Sequence, residues 1–96
     1  MDWERMYNID DFITSANKLY LITQTENTNY DTYDSAVVCA PDEETARLTQ
    51  PGGEGWKWGE KHFPWCSSPD KVAVVLLGYA LEGVPLGVVC ASFNAG

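Results

Sequence analysis

Hydrophobic residues in this chain form four short runs separated by polar or glycine-rich segments. The first two, Lys18 to Thr25 and Ser35 to Ala40, are rich in β-branched residues, leucine and tyrosine, as strands are. The third, Val72 to Tyr79, is almost continuously apolar, which predicts a central strand covered on both faces. The fourth, Gly87 to Phe93, follows a turn and predicts a shorter strand.

The segment PDEETARLTQPGG, between the second and third runs, is punctuated like a short helix. Pro41 and Asp42 stand where a first helical turn favours them, acids follow at the positive end of the dipole, and residues 51 to 53 end the pattern. A helix of about nine residues depends on packing rather than propensity. The order β-β-α-β-β predicts an α+β fold, a four-stranded mixed or antiparallel sheet with one short helix on one face.

The N-terminal part of the chain lacks this regularity. Residues 1 to 17 carry scattered apolar residues and at most one helical turn around Asp10 to Ala16, so we expect a loosely structured segment. A chain of 96 residues has material for one core, and residues 18 to 96 are predicted to form a single domain.

Acidic residues dominate the charge of the chain. The formal net charge is -8, and residues 1 to 48 hold ten acids against three bases. Such a field repels phosphate backbones and anionic membranes, so we expect neither direct nucleic-acid binding nor membrane binding, and a basic partner is favoured. The plainer interpretation is that the acids only keep a small protein in solution.

The cysteines indicate the compartment. Cys39, Cys66 and Cys90 are odd in number, and no basic and apolar leader opens the chain, which together favour free thiols in a reducing cytoplasm. We expect ordinary buried thiols. The longest apolar run is too short to cross a bilayer.

The stretch PGGEGWKWGEKHFPW, residues 51 to 65, holds three of the four tryptophans. Its glycines lack the Gly-Lys-Ser/Thr of a phosphate loop and the third glycine of a dinucleotide fingerprint, so no nucleotide cofactor is expected. His62 and Cys66 are spaced like half of a zinc motif, but no close cysteine pair completes it, and we expect no metal. His62, Cys66 and Asp70 follow one another at four-residue spacing, like the members of a catalytic triad written in order. Residues of a triad meet in space and are seldom neighbours in the chain, so no catalytic residue is assigned.

Loop aromatics interleaved with carboxylates make the remaining candidate site. Such rings often anchor interfaces, and beside carboxylates they could occupy a basic groove as a mimic of a polyanion. The candidate partner-binding residues are Glu26, Tyr30, Asp31, Tyr33, Asp34, Asp42, Glu43, Trp56 and Trp58. The alternative is that some rings cover a small core. We favour that alternative for Trp56 and Trp65. It is weaker for Trp58 and Tyr30.

Three segments carry a resemblance to known proteins: YDSAVVCAPDEETARLTQP, a strand ending in LGYA, and the terminal GVVCASFNAG. Over residues 18 to 96 the chain resembles a family of small uncharacterised proteins from bacteriophages and prophages. The resemblance brings no catalytic or ligand residues with it. It implies a class of biology, in which small acidic phage proteins inhibit a host enzyme or defence complex, as anti-CRISPR proteins and DNA mimics do.

The sequence therefore predicts a non-enzymatic phage-type protein in the cytosol of a bacterial host. It would bind a nucleic-acid-handling or defence complex, such as a CRISPR effector, through its acidic half and its loop aromatics. One alternative is a structural or accessory domain whose sheet edges mediate self-association as a homodimer. Another is a small enzyme that uses Cys66 and His62.

Overall fold

The computed structural model describes residues 17–95 and contains a four-stranded antiparallel sheet. The elements are β1 (Lys18–Thr23), β2 (Thr32–Ala40), α1 (Glu43–Leu48), a 3-10 turn (Pro69–Lys71), β3 (Ala73–Tyr79) and β4 (Gly87–Asn94). The strand order across the sheet is β3-β1-β2-β4, and each neighbouring pair is antiparallel. The predicted α+β fold is confirmed, with an antiparallel rather than a mixed sheet.

One face of the sheet carries the core. Tyr20 and Ile22 of β1 lie directly opposite Val38 and Ala36 of β2, and all four side chains are buried. Because side chains alternate along a strand, these positions share a face. The helix packs on this face through the buried Ala46, and side chains of the connection from α1 to β3 complete the core.

The helix is shorter than the sequence pattern predicts. It begins after Asp42, whose carboxylate accepts a hydrogen bond of 2.7 Å from the Thr45 N–H, as an N-cap does. It ends at Leu48 because Thr49 already has an extended backbone. Pro51 contributes to this early end, since a proline disfavours helical geometry at the residue before it.

The apolar run Val72 to Tyr79 does not form a central strand, and this prediction was wrong. Within residues 17–95, β3 lies at one edge of the sheet and pairs only with β1, while β4 forms the opposite edge. Val75 remains 53% exposed. The two central positions belong to the hairpin of β1 and β2, whose strands are neighbours in the chain. A continuous apolar run indicates burial on both faces but does not determine the position of a strand in the ladder.

The second strand begins earlier than predicted. β2 starts at Thr32 rather than Ser35, and Thr32 and Tyr33 pair with Asn94 and Phe93 of β4. The pairing register shifts between Tyr33 and Ser35, as it does at a β-bulge. Across this irregularity, Thr32 and Tyr33 remain paired with β4. The helical turn predicted around Asp10 to Ala16 lies outside the described residues, as does the rest of the predicted N-terminal segment except Asn17.

Candidate functional site: an acidic groove between two loops

Two connections meet at the end of the sheet where β2 begins, and a buried amide organises the shorter one. The Gln24 side chain donates hydrogen bonds to the carbonyls of Asn27 (2.7 Å) and Tyr33 (2.8 Å) and accepts one from the Asn27 N–H (2.8 Å). Three hydrogen bonds satisfy this buried side chain. They fix the path of the chain between β1 and β2.

Asn27 then joins this loop to the tryptophan-rich connection. Its side-chain amide donates to the carbonyls of Phe63 (3.3 Å) and Trp65 (3.2 Å), which are 36 and 38 residues away in the chain. Phe63 and Trp65 are both buried in the core. The two loops are therefore held to each other and to the sheet.

Glu26 makes a second connection between the same loops. Its two carboxylate oxygens accept hydrogen bonds from the Ser67 N–H (2.7 Å) and the Ser67 hydroxyl (2.9 Å). Hydrogen bonding to the Ser67 hydroxyl, and then to the Ser67 N–H, lowers the pKa of Glu26. Glu26 was predicted to contact a partner, and in the structure its carboxylate is engaged within the chain.

A groove of about 420 Å³ lies between the joined loops. We call it the acidic groove, and it is lined by Asn27, Asn29, Tyr30, Asp31, Thr32, Glu60, His62 and Phe63. Asp31 and Glu60 contribute carboxylates, and Tyr30 presents a ring that is 74% exposed. A second depression of about 290 Å³ shares four of these residues and extends toward Glu26 and Ser67.

Backbone geometry also marks the acidic groove. Asp31 (φ 62°) and His62 (φ 67°) have positive φ, and they are the only non-glycine residues to do so among residues 17–95. Asp and His tolerate this region better than most residues, but it remains uncommon. Asp31 is held there by its N–H, which donates to the Asn94 carbonyl at 2.6 Å. Both unusual conformations occur in loops that line the same groove.

The groove is chemically suited to cations. A carboxylate beside an exposed aromatic ring can accept hydrogen bonds from a guanidinium or ammonium group while the ring faces the same cation. The side chains of Asp31 and Asp34 form no hydrogen bond or ion pair within residues 17–95. The one ion pair in that part of the chain joins Arg47 to Glu43. These two aspartates are available to a partner.

The structure does not bring all predicted site residues together. Asp42 and Glu43 follow the far end of β2, a strand of nine residues that spans roughly 27 Å from Thr32 to Ala40. Asp42 caps α1, and hydrogen bonding to Thr45 lowers its pKa. Glu43 lies 3.5 Å from the Arg47 guanidinium. The described acids of the predicted acidic half therefore lie at two separate ends of the sheet.

The tryptophans only partly follow the prediction. Trp65 is 1% exposed and belongs to the core, as expected. Trp58 is half-buried with its ring edge-on to Phe63 at 5.4 Å, whereas Trp56 is 37% exposed with its ring 6.1 Å from Phe63. The expectation that Trp56 would be the more buried of these two was wrong. Two glycines with positive φ, Gly55 and Gly59, flank the pair and let the segment turn twice within five residues.

The two tyrosines predicted to contact a partner, Tyr30 and Tyr33, also differ in exposure. Tyr30 is largely exposed at the acidic groove, as the sequence suggests. Tyr33 is half-buried, with its ring 4.8 Å from that of Phe93 and beside Gly52. A Cβ atom added at Gly52 would lie 2.8 Å from the Pro64 ring, so the close packing of residue 52 against Pro64 requires glycine. Tyr33 supports the loops, and Tyr30 is the ring that a partner can reach.

The cysteine environments disfavour a thiol nucleophile. Cys66 is fully buried, its thiol donates to the Ser68 carbonyl at 3.5 Å, and burial raises its pKa to about 11. A nucleophilic cysteine needs the thiolate, which this site makes rare at neutral pH. Cys39 is also buried, as expected, but Cys90 is exposed because β4 is an edge strand.

Sequence reasoning missed several residues of the groove. Asn27, Asn29 and Glu60 were not candidates, and His62 was considered only as a metal ligand or base. The Asn, Asp and Thr residues of ENTNYDTYD predict a turn between the first two strands, and both asparagines lie there. Within residues 17–95, no three His, Cys, Asp or Glu side chains are grouped to hold a metal. No helix in that range has the length and apolar content of a membrane span.

Comparison with protein-family models, with curated proteins and with solved structures found no match to this chain. The resemblance to phage proteins therefore stays a prediction. The functional argument depends on the geometry of the acidic groove and on the charge of the chain.

Proposed function

We propose that this chain is a non-enzymatic binding protein that places its acidic groove against a basic, nucleic-acid-handling protein. The observation that carries the proposal is the acidic groove itself. Asp31, Glu60 and the exposed Tyr30 line it, Asp34 lies exposed on the adjoining strand, and neither aspartate pairs with a cation among residues 17–95. Lysine and arginine side chains of a partner supply the missing positive charge.

The rigidity of the two loops favours such binding. The Gln24, Asn27 and Glu26 hydrogen bonds hold the loops in place before a partner arrives. A preorganised surface loses less conformational entropy on binding than a mobile one. The net charge of -8 attracts a basic partner over a longer range and speeds its approach.

The partner that fits this chemistry is a protein whose basic groove normally holds DNA or RNA. Carboxylates occupying that groove would exclude the phosphates and inhibit the partner. The resemblance to phage proteins supports a host defence complex, including a CRISPR effector, as the target, and the cytoplasm of the bacterial host as the place. This is a proposal of protein binding, with no direct contact to nucleic acid, membrane or cofactor.

The test compares two double charge reversals. Asp31→Lys with Asp34→Lys changes the acidic groove end, and Glu44→Lys with Glu82→Lys makes the same change in net charge near the far end of the sheet. Immobilised wild-type protein and both variants are exposed to a bacterial lysate at low salt. Proteins retained by the wild type are identified and assayed for binding of labelled duplex DNA or RNA.

We expect the wild type to retain a basic protein and to displace the nucleic acid from it. The groove-end variant should lose this activity by roughly 100-fold or more, because close charge pairs at interfaces contribute several kcal/mol, while the far-end variant loses little. Binding should weaken as salt rises. Equal losses in the two variants, or no nucleic-acid-binding protein retained at low salt, would contradict the proposal.

A further inference from the structure

The face of the sheet opposite α1 carries no charged residue. We call this face the open face, and it consists of residues 19, 21 and 23 of β1 with the residues opposite them in the other strands. Its central row runs Val75, Leu21, Val37, Cys90 across the four strands. The flanking rows contain only glycine, alanine, serine, threonine, leucine and cysteine. In a chain with 21% charged residues, the open face is a distinct uncharged surface whose large apolar side chains lie mainly in the central row.

Only one end of the open face is covered by residues 17–95. Cys39 is buried there, with its thiol 3.9 Å from the Val84 carbonyl of the β3–β4 connection. Leu81 and Leu86 of the same connection are exposed. The central row borders a shallow groove of about 220 Å³. Strands that are apolar on both faces normally have both faces covered, and here the described chain covers one.

We propose that a second copy of this chain covers the open face. Each copy carries a net charge of -8, so two copies repel wherever their acidic ends approach. The open face brings no like charges together, and a two-fold axis matches it to itself. A basic partner finds no carboxylate there. Two sheets packed face to face, as in a β-sandwich, would bury the central row from both copies.

The size of the open face sets the expected strength of the dimer. Four strands spaced about 4.8 Å apart, over six residues of about 3.3 Å each, cover roughly 400 Å² of sheet plane per copy. Side-chain relief and the two leucines of the β3–β4 connection enlarge this area. The total is at the low end of specific interfaces, so we expect a reversible dimer with a dissociation constant in the micromolar range.

Two valine substitutions test the assignment in the full chain. Val75 lies on the open face of edge strand β3, and Val88 lies on the helix-covered face of edge strand β4, opposite Val38. They are 53% and 41% exposed, so we expect both lysine variants to fold, which circular dichroism checks. Sedimentation equilibrium should show Val75→Lys weakening the dimer by roughly 100-fold, because two ammonium groups would be buried per dimer, and Val88→Lys changing it little.

Cys90 provides an independent measurement. It is the exposed cysteine among the three and lies in the central row, so maleimide labelling should slow as protein concentration rises. Pairing of two copies through the β3 edge instead would leave Cys90 reactive. Higher salt should strengthen the dimer by screening the repulsion, whereas it weakens binding at the acidic groove. Failure of one proposal is therefore distinguishable from failure of the other.

Three results would overturn this inference. The first is a full chain that sediments as a monomer at hundreds of micromolar in high salt. The second is equal weakening by Val75→Lys and Val88→Lys. The third is slow maleimide labelling of Cys90 in the full chain at protein concentrations far below the dissociation constant, which would mean that another part of the same chain, rather than a second copy, covers the open face.

Discussion

Asn27 connects the two loops that form the acidic groove, through both its backbone and its side chain. Its carbonyl accepts a hydrogen bond from the Gln24 side chain, its N–H donates one back to that side chain, and its own side chain donates to two carbonyls of the distant connection. The sequence predicts a turn at these residues because Asn, Asp and Thr cluster in ENTNYDTYD. It does not predict the bridge, since nothing local to residue 27 indicates contact with residues 63 and 65.

We expect Asn27→Ala to destabilise the protein by about 1 to 3 kcal/mol, because it leaves the carbonyls of Phe63 and Trp65 without their donor. Urea unfolding followed by circular dichroism measures this loss. Asn29→Ala is the matched control, since the Asn29 side chain donates only to the Asn27 side chain at the surface. Similar losses in both variants would mean that Asn27 does not join the loops.

Cys66 should make the protein less stable in alkali. Burial raises its thiol pKa from an ordinary 9.0 to about 11, so the folded state holds the proton more tightly than the unfolded state. This contribution to the free energy of unfolding is complete below pH 9 and is lost as the pH rises toward 11. Tyr20, whose pKa burial also raises, acts in the same direction.

Urea unfolding under reducing conditions at pH 8 and pH 10.5 tests the role of Cys66. Cys66→Ala should lower stability at pH 8 but show a smaller further loss at pH 10.5, with the difference on the order of 1 to 2 kcal/mol. The exposed Cys90 is the control, and Cys90→Ala should keep the full alkaline loss. An unchanged alkaline loss in Cys66→Ala would contradict the assignment.

At the scale of elements, the connection from α1 to β3 serves as part of the core. Trp65→Ala should destabilise the protein by about 3 to 5 kcal/mol, because it removes a fully buried ring. Trp56→Ala should cost much less, since that ring is already partly exposed. Thermal unfolding of the two variants provides the comparison. Equal shifts in melting temperature would mean that the rings contribute equally to the core.

Element types were predictable from the sequence, and element neighbours were not. Alternation and caps located four strands and one helix because those signals are local. The run VAVVLLGY predicted a central strand, but β3 is an edge strand within residues 17–95. Apolar side chains on both faces of a strand do not show whether it has a hydrogen-bonded neighbour on one side or on both. For the same reason, the tryptophan stretch indicated contact with a core, but its ranking of Trp56 as more buried than Trp58 was wrong.

At the scale of the whole molecule, charge and apolar surface are segregated. Acids lie at the two ends of the sheet, near Asp31 and near Asp42, while the open face between them is uncharged. The sequence predicted an acidic half, but the nine-residue β2 separates its members by the length of the sheet. The two proposed partners, a basic protein and a second copy, would use surfaces that differ in chemistry and do not overlap.

Several carboxylates should make the whole fold sensitive to acid. Hydrogen bonds lower the pKa of Glu26 from an ordinary 4.5 and those of Asp42 and Asp70 from 3.8; the donors are Ser67, Thr45 and Ser68. A lowered pKa means that the folded state releases the proton more readily than the unfolded state. The resulting stability is complete above the ordinary values and is lost as the pH falls through the lowered ones.

We therefore expect the free energy of unfolding to decline below about pH 5, as these three carboxylates take up protons. Glu26→Gln should lower stability at pH 7 and reduce the acid-dependent loss, because it removes one titrating group and replaces one of the two oxygens that accept hydrogen bonds from Ser67. Glu82→Gln, in the exposed connection after β3, makes the same charge change as a control and should keep the wild-type profile. Urea midpoints between pH 3 and pH 7 measure both profiles. A Glu26→Gln profile parallel to that of the wild type would show that the contact between Glu26 and Ser67 does not stabilise the joined loops. The acidic groove would then have to be preorganised by the Gln24 and Asn27 hydrogen bonds alone.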